Sequence, residues 1–113
     1  MNFIVKLLLT GISVIVASYL LDGVSVDSYF TAVIVAAVLA LLNAAVKPIL
    51  ILFTIPITFL TLGLFLLVIN AIIILMVDYF VPGFSVDGFW WALFFSIILA
   101  IVNSIFEELN KSK

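Results

Sequence analysis

The side chains able to do chemistry are few in this chain, and those it lacks narrow the field first. It has no cysteine and no histidine, which removes thiolate nucleophiles, disulfides, imidazole bases and the usual soft metal ligands. Six carboxylates remain, Asp22, Asp27, Asp78, Asp87, Glu107 and Glu108, beside four lysines, Lys6, Lys47, Lys111 and Lys113. Their spacing shows neither a nucleophile paired with a base nor an acid pair over a pocket, so no enzyme, metal or cofactor is expected. Lysines scattered singly and a net charge of −2 leave no electrostatic footprint for nucleic acid. More telling are Thr10, Asn43, Asn70 and Asn103, polar groups set inside long apolar runs. An amide at that depth needs a partner on a neighbouring helix or subunit. An interhelical hydrogen bond is one reading, and side-chain oxygens along an ion path the other.

The elements that must position these groups follow from composition. Of 113 residues, 68% are hydrophobic and 9% charged, against about 25% charged in a soluble domain. The chain is therefore an integral membrane protein, a single membrane domain with no room for a soluble one. Apolar runs cover residues 3–21, 29–46, 49–77 and 89–106. Three suit one crossing each of a hydrocarbon core about 30 Å thick, but 49–77 would extend about 43 Å as one helix. Pro56 and the Thr61-Leu62-Gly63 sequence are its natural break points.

An internal repeat decides where it breaks. GVSVD at 23–27 returns as GFSVD at 83–87, an offset of 60 residues. Over 22–46 against 82–106, Gly23/Gly83, Ser25/Ser85, Val26/Val86, Asp27/Asp87, Ala32/Ala92, Leu39/Leu99, Ala40/Ala100 and Asn43/Asn103 are identical. The third span then starts near Gly63, and the expected fold is all-α: four transmembrane helices in two parallel-related hairpin repeats. Repeat one covers 1–46, an apolar connector 47–62 and repeat two 63–113. The second span carries Ala32, Ala36, Ala40 and Ala44, and the fourth carries Ala92, Ser96, Ala100 and Ser104 in matching register. Small-xxx-small faces let backbones approach closely in lipid, so these two spans are expected to pack together at the bundle centre.

Lys6, Lys47, Lys111 and Lys113 fall on one side of this arrangement, and Asp22, Asp27, Asp78 and Asp87 on the other. The positive-inside rule then puts both termini in the cytoplasm. A secretory signal peptide is the competing reading of the first run, but that run is the repeat partner of the third. Gly23 and Gly83 are expected to free the backbone at the outer helix ends, with Asp27 and Asp87 capping the helices that follow. Tyr19, Tyr29, Tyr79, Phe89, Trp90 and Trp91 read as an outer aromatic belt. Lys47 and Glu107, equivalent by the offset and opposite in charge, are expected to pair across the two halves. The apolar connector must lie in the membrane interface or re-enter the bilayer against protein.

The order Asn43…Lys47-Pro48…Pro56…Thr61-Leu62-Gly63-Leu64-Phe65…Ile69-Asn70-Ala71…Pro82-Gly83-Phe84…Val86…Gly88-Phe89…Ala92…Ser96 resembles phage holin superfamily IV, a family of four-span bacterial membrane proteins. The likeness runs through nearly the whole chain. It implies homo-oligomerisation in the bacterial cytoplasmic (inner) membrane, and permeabilisation of it. No helix carries a continuous polar stripe, and helices packed around small residues fill their own core, so a lone copy is not expected to conduct. The alternatives are a non-conducting structural or envelope-stress protein that binds other membrane proteins, and a small-ion channel.

Overall fold

The computed structural model of the protein describes residues 2–111, so Lys113 and the end of repeat two lie outside the described residues. Helix α1 spans Phe3–Leu20 and starts at Asn2, whose side chain accepts a hydrogen bond from Val5 N at 2.8 Å. Strand β1 (Val24–Val26) leads to α2 (Tyr29–Ala45), and short helices α3 (Lys47–Phe53) and α4 (Ile55–Leu60) form the connector. Helix α5 (Phe65–Phe80), strand β2 (Phe84–Val86) and α6 (Phe89–Lys111) complete the chain. α1 and α6 are each long and apolar enough to cross a membrane, α2 with α3 makes one more apolar run bent by 40°, and α5 is a shorter apolar helix of 16 residues. The molecule is thus mostly helical and built on apolar membrane helices, three of whose starts and ends lie within a residue or two of the expected spans.

One end of the bundle is closed by a ribbon absent from an all-α expectation. β1 and β2 pair antiparallel, with Val24 opposite Val86, Ser25 opposite Ser85 and Val26 opposite Phe84. Two further bonds extend the ladder, Asp27 N donating to Gly83 O at 2.9 Å and Asp87 N to Gly23 O at 2.8 Å. The two loops thus satisfy much of their backbone N–H and C=O capacity on each other. Asp27 and Asp87 accordingly serve the ribbon through their backbones and not as caps. The cap of α2 is Ser28, whose hydroxyl accepts from Thr31 N at 3.2 Å. Asp78, near the end of α5, accepts from Val86 N at 3.2 Å and ties its helix to the ribbon.

Helices pack around the ribbon axis in the cyclic order α1, α2, α5, α6: the hairpin partners α1–α2 and α5–α6 touch, and so do α1–α6 and α2–α5. The expected close packing of the second span on the fourth is therefore corrected, since α2 and α6 stand diagonally across the bundle. Close backbone approach occurs instead within the hairpin: a Cβ on Gly11 would lie 3.0 Å from Val33 Cγ2, and Tyr29 OH donates to Leu8 O at 2.9 Å. Its counterpart Ala71 is fully buried in the other half. The buried positions of 11–20 recur one for one at 71–80. Toward the ribbon the interior is tight, with Val14, Ala17, Ala32, Val35, Val77, Ala92 and Phe95 fully enclosed. In lipid such contacts stabilise by dispersion and shape.

The connector breaks at Thr54 and not at Pro56. Thr54 closes α3 by donating its hydroxyl to Leu50 O at 2.8 Å, and Pro56 then sits in the first turn of α4, where a missing N–H costs nothing. Neither short helix buries a residue, and Phe53, Phe59 and Leu60 are largely exposed. The turn into α5 places Leu62 at φ 57 and Gly63 at φ 89, with Thr61 Oγ1 accepting from Phe65 N at 3.1 Å.

Candidate functional site

At the end opposite the ribbon the helices separate, and the polar residues of the four spans collect in the gap. One cavity of about 190 Å³ lies among α2, α5 and α6, where Asn43, Lys47, Asn70, Ser96 and Asn103 meet walls of Leu39, Ile73, Ile74 and Leu99. A second, of about 450 Å³, lies among α1, α2 and α6 and takes in Lys6, Thr10 and Glu107. The two share Leu39, Asn43 and Asn103, so the α2 and α6 asparagines form the partition between them. All four intramembrane polar residues singled out in the sequence line this space.

The small-residue stripes explain why it exists. Ala32, Ala36 and Ala92 are buried near the ribbon, whereas Ala40 is half-buried and Ala44, Ala100 and Ser104 are exposed. With α2 and α6 diagonal, the inner parts of the stripes open on different spaces: Ala36, Ala40 and Ala44 line the larger cavity, and Ser96 and Ala100 the smaller. Small side chains here make room instead of making contact. Ser96 returns its hydroxyl to Leu93 O at 2.8 Å, leaving only an oxygen lone pair for the cavity.

Asn103 is the best-held member. Ser13 Oγ, on the fully buried face of α1, donates to Asn103 Oδ1 at 2.7 Å and also lies 3.0 Å from Leu9 O. With its oxygen engaged, the Asn103 amide keeps its N–H groups for other acceptors. Asn43 and Asn70 make no side-chain hydrogen bond among the described residues, and both open on the smaller cavity. The expected pair of Lys47 with Glu107 does not form among the described residues. Lys47 opens α3, which turns away from α2 by 40°, while Glu107 continues along α6 to lie with Lys6 at the larger cavity. Ser13 shares a helix face with Thr10 by its i, i+3 spacing; the choice of Asn103 as its partner required the helix order.

At the other end, Gly23 and Gly83 hold the ribbon against the helices. A Cβ on Gly23 would stand 2.3 Å from Trp91 Cγ, and one on Gly83, at φ +90, would stand 2.7 Å from Asp27 Oδ2 and 3.3 Å from Thr31 Cγ2. Trp91 and Thr31 are themselves sixty residues apart.

Residues 1–105 match the family model described as mycobacterial 4 TMS phage holin, superfamily IV. The chain is similar to the uncharacterized membrane protein YvlD of Bacillus subtilis, 37% identical over 92% of this chain and 88% of that one. An uncharacterized protein of Streptomyces coelicolor is 38% identical, covering 90% of each chain. No solved structure matches.

Proposed function

The chain belongs to phage holin superfamily IV, and from that premise we propose that it self-associates in the bacterial cytoplasmic membrane and permeabilises it only as an assembly. The observation that carries this reading is the dead end of the cavities. Between them and the ribbon lies the layer of Val14, Val35, Ile74, Val77 and Phe95, each at most 1% exposed, so one copy offers no through-path for water or ions. Permeation therefore requires several copies, or separation of the two halves at the ribbon. The matched burial of 11–20 and 71–80 and the reciprocal Asp27–Gly83 and Asp87–Gly23 bonds support two repeats about an axis along the membrane normal. Lys6 and Lys47 at the cavity end, with Asp22, Asp27, Asp78 and Asp87 at the ribbon end, support cytoplasmic termini. The unburied α3 and α4 then lie at the cytoplasmic interface.

The test is release of a trapped dye from proteoliposomes prepared over a range of protein-to-lipid ratios. Assembly predicts leakage that climbs more steeply than linearly with protein density. Vesicles that stay tight at the highest density would overturn permeabilisation and leave a closed membrane scaffold.

A further inference from the structure

We propose that the smaller cavity, about 190 Å³, binds a phosphate group, with Lys47 supplying the charge and Asn43, Asn70 and Asn103 the amide donors. The inference does not depend on permeation, because the cavity is complete within one copy.

Charge selects the class of ligand. Lys47 is the single ionisable group on the cavity lining, no carboxylate accompanies it, and it makes no ion pair among the described residues. Leucine and isoleucine walls lower the local dielectric, so the ammonium repels a cation and draws an anion. The larger cavity differs, because there Glu107 offsets Lys6.

Hydrogen bonding selects the chemistry within that class. Asn43 and Asn70 have free amides at the cavity, and the Ser13 hydroxyl holds Asn103 Oδ1 so that its N–H groups are left to donate. Amide N–H and ammonium donors on one lining suit an oxyanion, whose oxygens only accept, and charge-assisted bonds of this kind are the stronger ones. At about 30 Å³ per water, the space holds about six waters, room enough for a phosphate. Lys47 lies two residues past the end of α2, at the level where a lipid head group sits if the span is centred in the bilayer. The phosphate has two sources, a phospholipid head group or the free ion.

Both are tested on the full chain. Inorganic phosphate is titrated calorimetrically into the protein in phosphate-free maltoside micelles. In parallel, native mass spectrometry scores the lipid retained from nanodiscs of phosphatidylcholine mixed with phosphatidylglycerol. Saturable phosphate binding identifies the free ion, and selective retention of phosphatidylglycerol identifies the head group. In either case Lys47→Gln should weaken binding about tenfold or more, while Lys47→Arg and Lys6→Gln should keep it. Neither signal in the wild type, or equal binding by Lys47→Gln, would overturn the proposal. Should Lys47→Gln fail to fold by circular dichroism, Asn43→Asp, at an exposed position, introduces a carboxylate and must abolish the same signal.

Discussion

Alanine at Gly23 would put its methyl carbon 2.3 Å from both Cγ and Cδ2 of the Trp91 ring. Gly23 is not among the positive-φ glycines, so the cost is steric and carries no backbone-strain component. The atoms met lie at the root of the indole, which cannot swing aside as the tip of a flexible chain would. Nor can the loop retreat freely, since Gly23 O holds Asp87 N at 2.8 Å and a shift would break the ladder beside it. Overpacking a tight site costs about 1–3 kcal/mol, and this geometry belongs at the upper end, about 3 kcal/mol. The other half of the molecule indicates the remedy, because there Thr31 occupies the place of Trp91. In a Trp91→Thr background the alanine should cost under about 1 kcal/mol, giving a coupling of about 2 kcal/mol in a double-mutant cycle. Reversible unfolding in mixed micelles, followed by far-UV circular dichroism, measures all four corners. An equal cost of Gly23→Ala in both backgrounds would refute the argument that the Trp91 ring is what excludes a side chain.

Other perturbations follow from single contacts. Phe95→Ala empties a fully buried site where the ring packs 5.5 Å from Phe84, and should destabilise by about 3–5 kcal/mol in the same unfolding assay. Ser13→Ala removes the 2.7 Å bond to Asn103, and should cost about 0.5–1.5 kcal/mol. Asp78→Ala leaves Val86 N without its acceptor and should cost about 1–3 kcal/mol, with faster amide exchange at Val86 as the local readout. Ala40→Leu, on the cavity side of α2, should be tolerated within about 1 kcal/mol, because the side chain enters open space; a loss as large as that of Phe95→Ala would show that α2 and α6 meet after all.

Span positions were legible because an apolar run cut by Pro, Gly and Asp is a strong signal, and the offset supplied the start of α5 that hydropathy blurred. Thr10, Asn43, Asn70 and Asn103 stood out as polar groups because each is costly inside lipid, but that they converge on one space was not legible. What stayed hidden is relational. The Ala32–Ala44 and Ala92–Ser104 stripes announce room for a neighbour without naming it, and the diagonal placement of α2 and α6 turned part of that room into cavity. Three residues are too few for a period-2 pattern, so the pairing of β1 with β2 across sixty residues could not be read from either alone. Lys47 and Glu107 were matched by register, yet a 40° bend after α2 parted them. At Thr54 a side-chain bond to the preceding turn ended α3 before Pro56 had any helix to break.

The meeting of Ser25 with Ser85 carries a consequence for how the two halves of the chain are joined. A ladder centred on a residue and its own counterpart is self-complementary, the isologous contact that two identical hairpins would make. Each half therefore presents to the other the same edge that it receives, so that the ribbon joins the two repeats as equals and any change to one strand is felt by both.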